Sequence, residues 1–248
     1  PIPDGSYYGI DYTGIDISWP SNLPGATSYF AWASDYDYFG GYDHRRNAGV
    51  IHVANHHISP GKKMFTWGTG DFGQAWGRNL TDSDGPYIEL MAGVYTDNQP
   101  DFSWIQPYEC KTFSQFWYPV QEIGPAQNAN RRAAISLKVQ GGTARVGACV
   151  TERLAHASLA LLAQGRVIWE KTGDLVPGSP LVAEAGLPTG IGETDLILRL
   201  CDEAGLEVIR HTPFVPPREP LPEAMTPQPP PEEIDSIEQL YLTGLHLE

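Results

Sequence analysis

The alternation of apolar and polar positions divides the chain into two kinds of strand sequence, a proline-rich stretch and a final helix. From Arg131 to Phe214 apolar residues alternate with polar ones in short runs: AAISLKV, TARVGACV, ASLALL, GRVIWE, TDLILRL and LEVIRHT. A period of two puts one side-chain set on a buried face, so each run predicts a strand. Gly141-Gly142, Gln164-Gly165 and Asp202-Glu203-Ala204-Gly205 separate them. These are hairpin punctuators, so antiparallel neighbours are expected. The pattern predicts a small immunoglobulin-like β-sandwich over 129–215. Parity places Ala144, Val146, Ala148 and Val150 on one face and Cys149 with Arg145 on the other, and in TDLILRLCD it excludes Cys201 from the leucine face. A buried disulfide across the sandwich is thereby disfavoured.

Residues 1–128 read differently. The strand-like runs AGVIHVA, KMFTWG, YIELMAGVY and KTFSQFWYPV are broken by the turn clusters SWPSNLPG, NHHISPGKK, TDSDGP and TDNQPD. No segment of helical period stands between them, so an aromatic β-domain built of strands and turns is expected, with Thr66 to Gly73 read as β-turn. The stretch GVIHVANHHISPGKKMFTWG predicts a hairpin, with one strand to Ala54, a polar turn, and a second strand ending at Trp67. Nine prolines between residues 213 and 231 forbid helix or central strand and predict an extended linker over 216–232. After it, Ile237, Leu240, Tyr241 and Leu245 recur at helical spacing behind an acidic start, which predicts a helix within 233–248. The fold class expected is all-β with one short C-terminal helix.

Composition narrows the function. Six of seven Trp, eleven of twelve Tyr and seven of eight Phe lie before residue 119, so the first domain carries the aromatic surface. The formal net charge of −14 removes the basic face that a nucleic-acid partner requires. No apolar run approaches the roughly 20 residues of a membrane span, so no membrane contact is expected. Three widely spaced cysteines form neither a closed disulfide set nor a zinc pattern, which favours reduced thiols and a cytoplasmic location. The chain starts at Pro1 and stops within the predicted helix, and is read as an internal fragment.

Three of seven histidines fall within six positions, at His52, His56 and His57. His52 and His56 have the i, i+4 spacing of a zinc helix, but Val53 follows His52, and GVIHVA is strand sequence in which those positions stand about 13 Å apart. No metal or cofactor is expected. The cluster reads either as strand histidines satisfied by neighbours or as ligand contacts at a loop. Asn55, His56 and His57 precede the turn Ser59-Pro60-Gly61, and the next strand delivers Trp67 into GTGDFG. Aromatic faces stack on the C–H faces of sugars while amides, carboxylates and imidazoles take hydroxyls, so this surface favours carbohydrate. The ligand-binding set is His52, His57, Lys63, Trp67, Asp71, Trp76 and Tyr95, unless most of the aromatics simply fill the core. Glu89 lies inside the apolar strand YIELMAGVY, either on the solvent face or aimed into a site. If buried, its pKa would rise, as suits an acid or base.

The stretch FGGYDHRRNAGVIHVANHHISPGKKMFTWGTGDFGQAWGRNLTDSDGPYIELMAGVY and its continuation to Arg132 resemble a bacterial family that joins a galactose-mutarotase-like β-supersandwich to tetratricopeptide repeats. SIEQLYLTGLHLE is similar to the helix that leads into those repeats. The resemblance implies that 1–128 is the C-terminal part of a mutarotase-like domain with a concave sheet face for a sugar, and that repeats beyond residue 248 bind protein partners. It also implies Glu89 as base, with His52, His56 or His57 as partner. The upstream mutarotase histidine motif is absent from this sequence, which favours a sugar-binding module. The rivals are a sugar-active enzyme, epimerase or glycosidase, using Glu89 with a clustered histidine or Asp84, and a ligand-free scaffold.

Overall fold

The computed structural model of the protein describes residues 5–7, 9–31, 34–94, 105–214 and 230–247. In chain order the elements are β1 (Ser6–Tyr7), β2 (Ile10–Asp11), β3 (Thr27–Phe30), β4 (Tyr38–Asp43), β5 (Ala48–Ala54), β6 (Gly61–Thr66), α1 (Asp71–Thr81), β7 (Ile88–Gly93) and β8 (Gln115–Gln121). Then come β9 (Asn128–Ala129), β10 (Ala133–Gln140), β11 (Thr143–Val150), β12 (Leu154–Ala163), β13 (Arg166–Leu175), β14 (Leu181–Gly186), β15 (Leu196–Cys201), β16 (Glu207–His211) and α2 (Ile237–Leu247). The described residues are all-β apart from α1, α2 and short 3-10 turns. Contacts group 1–213 as one compact unit and 214–248 as a second.

In the second half of the first unit, two four-stranded antiparallel sheets, ordered β14-β11-β10-β9 and β13-β12-β15-β16, form a sandwich. Alternation drives it: Ile135, Leu137, Val146, Leu159, Leu161 and Leu198 are all buried in one cluster between the sheets. The six runs read from the sequence each become a strand. β14 joins them, its residues Leu181–Gly186 having been hidden among prolines and glycines. Cys149 lies on the opposite face from Val146 and Ala148, as parity requires, and all three thiols are free.

The first half holds two three-stranded antiparallel sheets, β3-β6-β7 and β4-β5-β8. This corrects the expected hairpin at 48–67. β5 pairs with β4 and β8, whereas β6 pairs with β3 and β7, so residues 55–60 carry the chain from one sheet to the other. The polar turn is an arch, held by Ser59 N–H donating to the Asn55 carbonyl at 2.8 Å and His57 N–H to Asn55 Oδ1 at 2.9 Å. The register Gly41↔Val50 and Phe39↔His52 puts these residues on the face of β4-β5-β8 that looks toward β7, since Leu90 Cδ1 lies 3.3 Å from where a Cβ on Gly41 would stand.

The other face of β4-β5-β8 packs on the sandwich. Ile51, Val53, Tyr118 and Val120 meet Ile123, Ala129, Ala134 and Cys149 in one buried cluster. Polar contacts fix the seam: Tyr118 Oη donates to the carbonyls of Asn130 (2.8 Å) or Ala133 (3.1 Å), and Gln121 Nε2 to that of Gly178 at 2.8 Å. The Ile123 carbonyl accepts from Ser136 Oγ and from Arg145 Nη1. β8 is the outer strand of its sheet; it contains Pro119, and Phe116 and Trp117 remain 42% and 45% exposed.

A second correction concerns 71–81, where the sequence predicts β-turn as far as Gly73 and no helix beyond it. α1 is an 11-residue helix. Its apolar residues Phe72, Trp76 and Leu80 recur every fourth position, and Asp71 and Arg78 stand at the ends that the helix dipole favours. In the second unit, α2 spans the predicted segment, and Ser236 Oγ caps it by accepting from Gln239 N–H at 3.1 Å. Residues 216–229 of the predicted proline linker lie outside the described residues.

Ile123 is 1% exposed, and Gly147 leaves room for it, since a Cβ there would stand 2.7 Å from the Ile123 Cβ. Ile123→Ala therefore opens a void at the seam and is expected to destabilise the protein by about 2–5 kcal/mol, measured as a lowered urea midpoint.

Candidate functional site

The end of β6 delivers Trp67 into a tight approach to α1. Gly68 adopts φ +83, a left-handed conformation that suits glycine. Gly73 in the first turn of the helix lies directly on the strand end: a Cβ there would stand 2.1 Å from the Gly68 carbonyl oxygen and 2.4 Å from that of Trp67. The loop before the helix is tied down by Thr69 N–H to the Leu23 carbonyl and Gly70 N–H to that of Pro24, both 2.9 Å. This docking brings the Trp76 indole onto Trp67, with ring centroids 4.8 Å apart and planes within 12°. Phe72 and Phe65 meet Trp67 edge-on at 5.8 and 4.9 Å.

Beside this aromatic group lies a cavity of about 420 Å³. Its walls include Trp67, Gln74, Arg78, Asp82, Ser83 and Tyr87. Gln74 and Arg78 follow one another along one face of α1, and Asp82 ends the helix with φ +52. The buried Gly77 forms part of the wall, and a Cβ on it would meet nothing nearer than the Gly85 carbonyl oxygen at 3.9 Å.

The histidines sit elsewhere. His52 is 1% exposed, with Nε2 3.2 Å from Gln115 Oε1 and with the Phe39 and Trp117 rings at 5.3 and 4.7 Å. Burial lowers its pKa, the Lys62 charge adds to this, and the Gln115 hydrogen bond opposes it. Lys62 is also buried, its ammonium donating to the Tyr36 carbonyl and to Ser34 Oγ; burial lowers its pKa, and nearby Asp37 opposes the shift. In the arch, His56 Nδ1 and backbone N–H lie 2.7 and 3.0 Å from Asp37 Oδ1. Burial raises the Asp37 carboxyl, but those hydrogen bonds and the His56 and Lys62 charges hold it below its ordinary value. His57 stacks obliquely on His56 at 3.9 Å and is otherwise exposed.

Among the expected site residues, then, the structure brings together Trp67 and Trp76, while Asp71 is exposed at the start of α1, five residues before Trp76. It brings Lys63 over the Phe30 ring at 5.3 Å, on the same sheet face as Phe65. Glu89 pairs with Phe65 and so shares that outer face, while its neighbours Ile88 and Leu90 point between the sheets toward Gly41. Glu89 and His52 are therefore on opposite sides of the β3-β6-β7 sheet, and His56 is held at the arch by Asp37. The expected convergence of Glu89 with the histidines is not found among the described residues, because strand parity turns Glu89 outward. Tyr95 lies outside the described residues. Sequence reasoning missed Tyr87, Asp82, Gln74 and Arg78. The signal for Gln74 and Arg78 is their i, i+4 spacing, in a segment where no helical period is read. No group of three or more His, Cys, Asp or Glu among the described residues is arranged to hold a metal ion, and no described helix is long and apolar enough to cross a membrane.

Comparison with known proteins gives two matches along the chain. Residues 4–120 match DUF5107, a domain of unknown function. Residues 128–211 match the second domain of YphG-like proteins. These are the segments that carry the two three-stranded sheets and the sandwich. A solved structure of a TPR-domain-containing protein from Parabacteroides distasonis is similar at 26% identity over 53% of this chain, with a TM-score of 0.40. The chain spans 21% of that protein's length.

Two outcomes test the helix and the buried histidine. Gly73→Ala is expected to destabilise by about 1–3 kcal/mol or more, because the clash is with backbone, whereas Gly77→Ala should stabilise by up to about 1 kcal/mol through helix propensity. Paired urea titrations read both. His52 has a folded pKa below its ordinary 6.5, so above that pH its contribution is fully present. As pH falls below 6.5, the unfolded chain binds a proton that the folded one refuses, and stability declines toward the depressed folded value. His211, whose pKa burial also lowers, acts with the same sign. His52→Gln should flatten part of this slope in unfolding midpoints followed between about pH 5 and 8.

Proposed function

We infer that the aromatic β-domain is a carbohydrate-binding module, with the ligand seated in the cavity beside Trp67. The observation that carries this reading is the composition of the cavity wall: two aromatic rings, Trp67 and Tyr87, beside an amide, a guanidinium, a carboxylate and a hydroxyl from Gln74, Arg78, Asp82 and Ser83. Sugar rings offer C–H faces to the first kind of group and hydroxyls to the second. A volume near 420 Å³ falls within the roughly 300–1,000 Å³ of small-molecule sites. The stacked Trp76 stiffens Trp67, which lowers the ordering cost of binding.

Binding rather than turnover is favoured by the position of Glu89, which faces away from the histidines that would have been its partners. The two three-stranded sheets, face to face, suit a mutarotase-like supersandwich, and the module would then be presented to protein partners by repeats beyond α2. Three free thiols suit a cytoplasmic setting.

The test is a glycan array followed by calorimetry on the full chain. Trp67→Ala is expected to weaken a bound sugar about tenfold or more, a loss of about 1.4 kcal/mol, and Arg78→Ala, at an exposed position, should weaken it without lowering the melting temperature. An array with no signal, or binding indifferent to both substitutions, overturns the reading.

A further inference from the structure

The Trp67 cavity has a neighbour. Pro20, Ser21 and Pro86 line it and also line a second cleft of about 740 Å³ that opens between the two three-stranded sheets. The second cleft has its own aromatic plate. The Trp19 ring lies flat on the His44 imidazole, with centroids 5.0 Å apart and planes within 15°, and Tyr42 meets His44 edge-on at 5.2 Å. Trp19 is 48% exposed, so about half of its surface stays accessible beside the stacked His44. Two aromatic plates therefore stand on either side of a low rim built from residues 20–21 and 85–86.

That rim is fixed in place. The Thr81 hydroxyl, at the end of α1, donates to the carbonyl of Gly85 or to that of Gly77. Arg46, in the β4–β5 turn, pairs with Asp84 at 3.1 Å and ties the second cleft to the segment that walls the first. At Gly85, φ is +108 and Arg45 Nη2 lies 3.0 Å from where a Cβ would stand, so no side chain rises from the rim there. The cations at and beside the cleft are matched: Arg45, in its wall, faces Asp43 at 3.7 Å, and Arg46, next to it in the chain, faces Asp84. Neither is a surplus positive charge for an anionic ligand.

Each space alone is the size of a small-molecule site, and together they exceed its upper end of about 1,000 Å³. A single sugar ring can use one plate at a time. We propose that the two cavities are subsites of one groove for a linear, neutral oligosaccharide, with one sugar residue against Trp67, another against the Trp19–His44 pair, and the chain crossing the Pro20-Ser21 and Pro86 rim between them. This rests on the carbohydrate reading of the Trp67 cavity and adds chain length and charge class to it.

The experiment is calorimetric titration of the full chain with β-1,4-linked glucose, galactose and xylose series of one to four units, and with galacturonate oligomers of the same lengths. Affinity for at least one neutral series should rise about tenfold or more from one unit to four. Trp19→Ala should remove that gain, so that four units bind no more tightly than one, and Trp19→Phe, which keeps a ring, should restore most of it. A length-independent affinity, a gain that survives Trp19→Ala, or tighter binding of the galacturonate series overturns the proposal and leaves the Trp67 reading standing. Absence of binding by every series at millimolar concentration also overturns it, and the glycan array then decides the carbohydrate reading separately.

Discussion

β5 has no free edge, and from Ile51 to Ala54 it has no free face. Its backbone is paired on one side with β4 and on the other with β8, one of its faces meets the sandwich through Ile51 and Val53, and the opposite face looks across to β7. A strand so enclosed satisfies its amides only within the sheet, and every side chain on it must either be apolar or find a partner. Most of the first 213 residues arrange themselves around that demand. The sandwich supplies a cover on one side, with Cys149 and Ala134 turned outward from its own core and Ile123, between β8 and β9, filling the seam. The β3-β6-β7 sheet supplies the cover on the other. The polar exceptions, His52 on β5 and Lys62 on β6, are held by Gln115 and by Ser34 and the Tyr36 carbonyl, because a buried polar group without partners would cost more than the sheet gains.

How much of this was legible in the sequence depends on how local the deciding interactions are. In the sandwich of four-stranded sheets, alternation in TARVGACV and TDLILRL settles both the strands and their inward faces, since a period of two leaves only one way to bury Val146 or Leu198. The segment 48–67 shows the limit. Two strong strands joined by a polar loop fit a hairpin and an arch equally well, and the choice rests on which distant strands, β8 and β7, offer their edges. α1 was obscured for another reason. Glycine at 73 and 77 weakens helix propensity, yet Gly73 is required by the close approach of helix to strand end, a tertiary constraint that a local reading takes for a turn.

The candidate site divides along the same line. Trp67 and Trp76 stood out by residue type, and the helix brings them into contact. Glu89 was conspicuous as a charge in an apolar run, but whether a strand residue faces a site or solvent depends on what covers each face, which parity alone leaves open. Trp19 and His44 are 25 positions apart, on a loop and at a strand end, and no periodicity joins them. Their stacking arises because the β4–β5 turn and the segment before β3 share the mouth of one cleft.

Pro119 gives the outer strand of that sheet a chemistry of its own. Proline has no amide hydrogen, and within sheets it is tolerated where that missing donor faces outward. An incoming strand laid along β8 would therefore meet a ladder with a rung removed beside the half-bare rings of Phe116 and Trp117. Such an edge resists indefinite strand-by-strand growth, the route by which open sheets aggregate, while still offering side-chain surface to a partner that covers it. The sheet is thus terminated by composition at its most exposed margin.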